Sequence, residues 1–457
     1  MNSDEHPIAA IATAVGPAAI AVIRVSGSGS VHLLSSRFSR PDALRSAAGH
    51  SLHRGSIHDE EHRIVDDVLV AVYRAPGSYT GEESAEVFCH GSPAGVRRVF
   101  GVLLSAGFAA AAPGEFTRRA FINGKLDLTR AEAVNEVVGA QTTDAHALAM
   151  ERLSGSVERA VEEVRAQLIA MMAPIAIQLD YPEEETGPID ADRDALRAAG
   201  ERCRSIALTC ARGRLYQHGA RVAIAGRTNA GKSSLFNRLL RQDRSIVSDV
   251  HGTTRDYVEA LIDVDGVPVR LFDTAGLRES AETIEQEGMR RSSSVVAAAD
   301  LVLYVVDAGE GGTLEDAERL ERMRRESRTL CVLNKVDLVK SAPEGALGGC
   351  IPVSALTGAG IDRLNDAIVS SLLDETAGGP TGPATGSVII DSERQRDLLL
   401  RAADAVDRAL ESLSAAMPAD IVAVDLQEAL AAIGEITGEV STAEILDEMF
   451  RGFCVGK

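Results

Sequence analysis

Gly226, Gly231, Lys232 and Ser233 stand at the spacing of a phosphate-binding loop, Gly226-Arg227-Thr228-Asn229-Ala230-Gly231-Lys232-Ser233. Glycines let successive backbone N–H groups approach phosphate oxygens that a Cβ would hold off. The helix that follows turns its positive N-terminus toward them. Lys232 has the reach for β- and γ-phosphate oxygens, and the Ser233 hydroxyl is a hard ligand for Mg²⁺. Asn229, Ala230, Gly231 and Ser234 complete the cradle. In Asp273-Thr274-Ala275-Gly276 the carboxylate suits the water shell of the same Mg²⁺, and the Gly276 N–H suits a γ-phosphate. Thr254, in Gly252-Thr253-Thr254-Arg255-Asp256, is the candidate for a second hydroxyl ligand. In Asn334-Lys335-Val336-Asp337 the last carboxylate matches the N1–H and exocyclic amine of guanine. Adenine lacks that donor pair and would leave a buried charge unpaired. Ser354-Ala355-Leu356 is expected to offer backbone N–H groups to guanine O6. A chance match is a fair reading of any one motif. Five in this order, each behind an apolar strand, point to GTP.

Hydrolysis needs an oriented water. Many GTPases place glutamine after the Asp-x-x-Gly motif, but Leu277 stands here and cannot orient water. Two features offer a substitute. An Asn229 carbonyl inside the loop could hold a monovalent cation beside the β/γ bridge, where other GTPases bring an arginine. One of Glu279, Glu282, Glu285 and Glu287 could position the water. Turn chemistry is an equally good account of Asn229, and a solvated charged segment is the better account of any single glutamate.

The elements that must position these groups are legible as periodicity. Arg221–Ala225, Val269–Phe272, Leu330–Leu333 and Ile351–Val353 are short apolar runs fit for buried parallel strands, and a helix opens at Ser234. Residues 219–376 therefore read as a GTPase domain with a doubly wound α/β sheet. Before it, residues 1–120 alternate apolar runs (Ala18–Val25, Val65–Val72, Ala85–Phe88) with Gly/Pro turns, the pattern of a small α+β domain. Val157, Val161, Val164, Leu168, Met171 and Ile175 form the stripe of a long helix. Leu196, Cys203, Ile206 and Cys210 read as a second. Residues 377–383 form a Gly/Pro linker. Helical periods return at Val406, Leu410 and Leu413 and at Leu426, Leu430 and Ile433, and Ser441-Thr442-Ala443-Glu444 is a capping box. The expected architecture is an α+β domain followed by a helical domain (121–218 and 377–457) into which the GTPase domain is inserted.

With 457 residues the chain has room for about three domains. A hydrophobic content of 45% and a charged content of 25% describe an ordinary globular protein. Aromatics at 4%, with no Trp, argue against base-stacking platforms, and a net charge of −20 argues against a general nucleic-acid coat. The cysteines, Cys89, Cys203, Cys210, Cys331, Cys350 and Cys454, show no CxxC spacing, so neither zinc nor a disulfide framework is expected. His53, His58 and His62 read as a solvated loop. No signal peptide and no apolar run of about 18 residues is seen, so a reducing cytoplasm is expected and a membrane is not.

The N-terminal domain adds Ile23-Arg24-Val25-Ser26-Gly27 and the block Pro113-Gly114-Glu115-Phe116-Thr117-Arg118-Arg119-Ala120-Phe121-Ile122-Asn123-Gly124-Lys125-Leu126-Asp127-Leu128. The chain ends in Phe453-Cys454-Val455-Gly456-Lys457. With the nucleotide motifs, these resemble the MnmE family, also called TrmE, of bacterial and organellar tRNA-modification GTPases, over the whole length. The resemblance implies a homodimer joined through N-terminal domains that bind 5,10-methylene- or 5-formyl-tetrahydrofolate, with Arg24, Glu86, Lys125 and Lys457 at the folate. It implies nucleotide contacts along Ser248, Asp249, Val250, His251, Gly252, Thr253 and Thr254. K⁺ would be held by Asn229 with the carbonyls of Ser248, Val250 and Thr253, and Glu285 would act on the water. It further implies a flavin-dependent MnmG/GidA-type partner, in a heterotetramer, and an aminomethyl-type addition at C5 of the tRNA wobble uridine. Cys454 is a candidate thiol in the tail, with a positioning role favoured over a chemical one. Thr228, Ser92-Pro93 and Ser248 depart from the family pattern. The alternative is an Era/EngA-like ribosome-assembly GTPase, which shares Gly-Thr-Thr-Arg but would need a basic RNA-binding appendage not visible here.

Overall fold

The computed structural model describes residues 6–180, 192–242, 258–273, 297–310, 313–339, 348–373, 388–439, 446 and 449–456. They form two compact units: Met1–Asn135 with Leu153–Val161 and Ala431–Lys457, and Glu136–Arg152 with Glu162–Leu430. The expected linker over residues 377–383 and the capping box at residues 441–444 lie outside the described residues.

In the first unit, β1 (Ile8–Ile11), β2 (Ala18–Ser26), β3 (Ser51–His58), β4 (Ile64–Tyr73), β5 (Ser84–Gly91) and β6 (Ala109–Ala110) make one sheet, ordered β3-β4-β5-β2-β1-β6. Only β1 and β6 run parallel among the paired strands. Strand alternation gives the sheet two faces. One carries Ala21, Ile23, Val25, Val68, Val70, Val72, Ala85 and Val87, all buried. They pack with residues of α1 (Ser30–Ser35), α2 (Pro41–Arg45) and α3 (Pro93–Ser105). The other face carries Arg24 and Ser26 of β2 opposite Glu86 and Ser84 of β5. α4 (Glu115–Ile122) and α5 (Leu128–Gly139) follow, and Leu128 and Ala131 of α5 form a buried cluster with Leu446 and Phe450. Gly114 lies against the Phe450 carbonyl and Phe453, at φ +66°, so a side chain there would displace the tail. His53 and His58 correct the loop reading: both lie half-buried on β3, and only His62 sits in the turn after it.

The second unit holds α6 (Thr143–Leu153) up to Arg152, most of α7 (Ser156–Asp180), α8 (Arg193–Ala207) and α9 (Cys210–His218). Every residue of the α7 stripe, from Val157 to Ile175, is buried. The expected single helix through Cys210 is in fact two. Thr209 Oγ1 donates to the Ile206 carbonyl (2.6 Å) and accepts from the Ile390 N–H (3.1 Å), breaking the run before α9 begins. Next come β7 (Ala220–Gly226), α10 (Lys232–Gln242), β8 (Val258–Val264), β9 (Val267–Asp273), β10 (Leu301–Asp307), α11 (Leu314–Glu326), β11 (Thr329–Asn334), β12 (Ile351–Pro352) and α12 (Ile361–Leu373). The strand order is β12-β11-β10-β7-β9-β8, parallel except for β8. Helices cover both faces. Leu235 and Leu239 of α10, with Leu364 and Ile368 of α12, pack on one, and Leu320 of α11 on the other. Central β10 is accordingly apolar and buried from Leu301 to Val306. Finally α13 (Glu393–Ser414) packs on α8, with Gly200 against Val406 and Arg204 paired to Asp407, and leads to α14 (Ala419–Thr437).

Arg152, 3% exposed, is set between Glu136 (2.5 Å) and Asp391 (3.5 Å). Its Nη1 also donates to the Ile389 carbonyl (3.3 Å). Burial pushes the Glu136 carboxyl up to about 8 against the pull of Arg152, and the Asp391 charge adds to the rise. The expectation of no disulfide is corrected as well. Cys331 of β11 and Cys350, just before β12, are joined. The pairing follows from strand adjacency, which the spacing of cysteines along the chain does not reveal.

Candidate functional site

β7 ends at Gly226 and α10 begins at Lys232, so the phosphate loop bridges a buried strand and a helix N-terminus. Gly226 and Gly231 adopt φ +144° and +89°. A Cβ on Gly226 would overlap the Val305 carbonyl, and one on Gly231 the Asn334 amide. Asn229 is exposed and left-handed (φ +67°), a conformation asparagine tolerates. Lys232 is buried, with Nζ donating to the Arg227 carbonyl at 2.8 Å. Ser233 Oγ donates to Asp273 Oδ2 at 2.8 Å. The two motifs expected at Mg²⁺ thus meet, and two hard oxygens at a strand end fit that ion.

The guanine motifs are tied to the loop and to each other. Asn334, 1% exposed, donates through Nδ2 to the Ala230 carbonyl (3.1 Å) and accepts at Oδ1 from the Ala355 N–H (3.1 Å). Lys335, at φ +65°, donates to the Asn229 carbonyl (2.7 Å) and pairs with Asp307 (2.6 Å). Ser354 Oγ donates to Asp337 Oδ1 at 2.5 Å, which orients the carboxylate. Leu356 is 80% exposed at the end of its loop. Asp307 and the hydroxyl of Ser354 are supporting groups that the motifs did not name. The end of β10, beside the loop, was the available signal for Asp307. Ser248, Asp249, Val250, His251, Gly252, Thr253, Thr254, Thr274, Ala275, Gly276, Leu277, Glu279, Glu282, Glu285 and Glu287 lie outside the described residues.

A second site sits on the open face of the N-terminal sheet. Arg24 and Glu86 are direct partners in the β2/β5 ladder, with Nη2 2.8 Å from Oε1. Arg24 Nη1 also donates to the Gly456 carbonyl (3.2 Å), and its guanidinium lies 5.7 Å from the Tyr79 ring centre and 5.8 Å from that of Phe116. A cavity of about 180 Å³ opens here, lined by Arg24, Ser26, Tyr73, Tyr79, Thr80, Ser84, Glu86 and Phe116. Burial raises both tyrosine phenols above their usual range, with the Glu86 charge adding at Tyr73. They stay neutral donors at neutral pH. Lys125 is not in this lining; it donates to the Pro76 carbonyl at 3.1 Å. Cys454 is exposed, and its carbonyl accepts from the Gly114 N–H (3.3 Å). Lys457 lies outside the described residues. Ser26 and Ser84 were readable in principle, two residues from Arg24 and Glu86 on alternating strands. The aromatic members come from separate segments.

The parallel sheet, the loop at the end of β7 and the Ser233–Asp273 and Asp337–Ser354 pairs define a P-loop GTPase, an enzyme that hydrolyses GTP. Two family profiles divide the chain: "GTP-binding protein TrmE N-terminus" matches residues 7–125 and "MnmE helical domain" residues 128–454. Proteins named tRNA modification GTPase MnmE align over nearly the whole chain. That of Treponema denticola is 42% identical over 99% of this chain and 98% of its own, and that of Carboxydothermus hydrogenoformans 37% identical over 99% and 100%. The chain belongs to the MnmE family of tRNA modification GTPases. By contrast, the solved structure of Aquifex aeolicus Era covers 42% of this chain and 66% of that one at 27% identity, with a TM-score of 0.28.

Proposed function

We propose that this chain is a cytoplasmic, K⁺-stimulated GTPase acting on tRNA. With an MnmG/GidA-type flavoprotein it drives aminomethyl or carboxymethylaminomethyl addition at C5 of the wobble uridine. The observation that carries this reading is that one chain holds both the guanine constellation and the Arg24–Glu86 cavity, whose Arg24 also donates to the Gly456 carbonyl. The first supports hydrolysis and the second a small polar aromatic ligand. The chain is read as four segments, 1–120, 121–218, 219–376 and 377–457, with the GTPase segment interrupting a helical domain.

In this reading Lys232 and the loop amides hold the phosphates, Ser233 and Thr254 would ligate Mg²⁺, and Asp273 would act on it through water. Asp337 selects guanine, and Ser354 to Leu356 close over it. K⁺ at Asn229, Ser248, Val250 and Thr253 would supply positive charge where leaving-group charge develops. Glu285 positions water, which Leu277 cannot do. A reduced folate would supply the one-carbon unit. The cavity donors fit a pterin edge: carboxylate Glu86 for amino and N–H groups, Arg24 for carbonyl or carboxylate, and Tyr79 and Phe116 for the ring faces. Lys125 and Lys457 are assigned to the glutamyl end. At about 180 Å³ the cavity is smaller than a typical ligand pocket of about 300 Å³ or more, which supports a site completed by a second copy. Ile20, Leu52 and Leu69, exposed on the same face of the sheet, suit such a partner. Cys454, exposed near the Gly456 contact, is assigned a positioning role.

Steady-state GTP turnover in K⁺ against Na⁺ tests the hydrolytic half. Turnover is expected to be at least about tenfold faster in K⁺, with the difference removed in Asn229→Ala. Glu285→Ala is expected to lower kcat and leave nucleotide affinity unchanged. Equal rates in the two salts would remove the cation. Calorimetry with 5-formyltetrahydrofolate tests the other half: binding by the wild type and at least about tenfold weaker binding by Arg24→Ala.

A further inference from the structure

We infer that Cys331 and Cys350 form a redox-modification site that controls how firmly the guanine-reading loops are held, so that thiol–disulfide exchange sets the rate of nucleotide release. Cys331 precedes Asn334 on β11 and is 1% exposed. Cys350 directly precedes β12, the edge strand, and is half-exposed. Their disulfide joins the stems of the two loops, one bearing Asn334 and Asp337, the other Ser354 to Leu356. The inference rests on reading those loops as the guanine site.

Beside the disulfide, the second stem is held by a short parallel ladder to β11, Val332–Leu333 against Ile351–Pro352, and by Val353, which is buried in the core. β12 has only two residues, and one of them, Pro352, has no N–H to give. Further ties among the described residues include the Val353 N–H to the Leu333 carbonyl (2.8 Å), the Val336 N–H to the Val353 carbonyl (3.3 Å), Arg238 to the Leu356 carbonyl (3.4 Å), Ala355 N–H to Asn334 Oδ1 (3.1 Å) and Ser354 Oγ to Asp337 (2.5 Å). The last two are made by the guanine-reading residues themselves. Loosening the stem therefore disturbs the carboxylate and the amides that would grip the base. Oxidised chain holds nucleotide longer; reduced chain releases it sooner.

The exchange pairs a half-buried cysteine, Cys350, with a buried one, Cys331. A dithiol attacks Cys350 Sγ as its thiolate, the Cys331–Cys350 S–S bond breaks, and Cys331 leaves and takes up a proton. The second thiol of the reagent then attacks the mixed disulfide and frees Cys350, and the reagent ends as its own cyclic disulfide. Two electrons pass from dithiol to protein. Cys331 is 1% exposed, so attack falls on Cys350, and an excess of dithiol drives the exchange to completion. Disulfides in reducing compartments are in general catalytic or redox-sensing rather than structural.

The full-length chain, purified without reductant, is denatured and its thiols titrated. Four are expected, from Cys89, Cys203, Cys210 and Cys454. After dithiothreitol all six cysteines of the sequence should react. Release of N-methylanthraniloyl-GDP is then timed. It should quicken by at least about threefold with dithiothreitol. Cys350→Ser should show the fast rate with or without the reagent. Six thiols before reduction, or a release rate that dithiothreitol leaves unchanged, overturns the inference. Asp337→Asn separates this from a failure of the guanine reading. It should shift preference from guanine toward xanthine nucleotides, whatever the redox state; unchanged GDP release in that variant would mean that the loops do not read the base.

Discussion

Glu136 illustrates how far a single residue can be read from sequence. Its type and neighbours in the chain give no hint of a carboxyl that titrates near neutrality. The shift comes from burial beside Arg152, with Asp391 contributed from beyond the GTPase segment. A raised carboxyl favours the folded state while it keeps its proton. That contribution is complete below the ordinary value of 4.5 and is lost as pH rises through about 8, where the folded-state group ionises. Stability measured by urea unfolding should therefore fall between about pH 5 and about pH 8, and Glu136→Gln should flatten that slope. An unchanged slope would assign the pH dependence elsewhere. Arg152→Ala should cost about 3–5 kcal/mol, because it leaves the buried Asp391 and Glu136 carboxyl groups without their shared cation. The nucleotide residues were legible for the opposite reason. Lys232, Ser233, Asp273 and Asp337 sit in short local motifs whose chemistry is fixed by spacing. Asp307 and the Ser354 hydroxyl, which orient those motifs, come from tertiary adjacency.

At the scale of elements, periodicity served where one face of a helix or strand is buried. The α7 stripe is buried along its length, and the motif strands take their expected places in the parallel sheet. The reading failed where side chains decide. Thr209 ends α8 through a hydrogen bond to Ile390, a residue that the chain reaches only after the GTPase segment. The Cys331–Cys350 link was hidden because two strands must first become neighbours. The phosphate loop leaves its glycines little room. Gly231 needs φ +89° and touches Asn334, so Gly231→Ala should weaken GDP binding by at least about tenfold, measured by calorimetry. Since Asn334 also holds Ala230 and Ala355, the same variant should disturb base recognition together with phosphate binding. Undiminished affinity would mean the loop does not hold phosphate in this conformation.

For the whole molecule, three blocks of sequence far apart carried the reading: the N-terminal Arg24 segment, the central motifs and the tail. The fold joins the first and last within one unit, where Arg24 meets the Gly456 carbonyl. That meeting was not legible, since nothing in the tail's spacing says what it docks against. Among the described residues no helix is long and apolar enough to cross a membrane, and no cluster of His, Cys, Asp and Glu could hold a metal ion. In the proposed function, GTP hydrolysis at the Lys232 loop serves modification of the tRNA wobble uridine. Mass spectrometry of tRNA nucleosides tests it most directly, in a strain deleted for this chain and complemented with either wild type or Lys232→Ala at equal protein level. The C5-modified wobble nucleoside should vanish on deletion, return with wild type and stay absent with Lys232→Ala. Full modification in the deletion strain, or its full return with Lys232→Ala, would contradict the account.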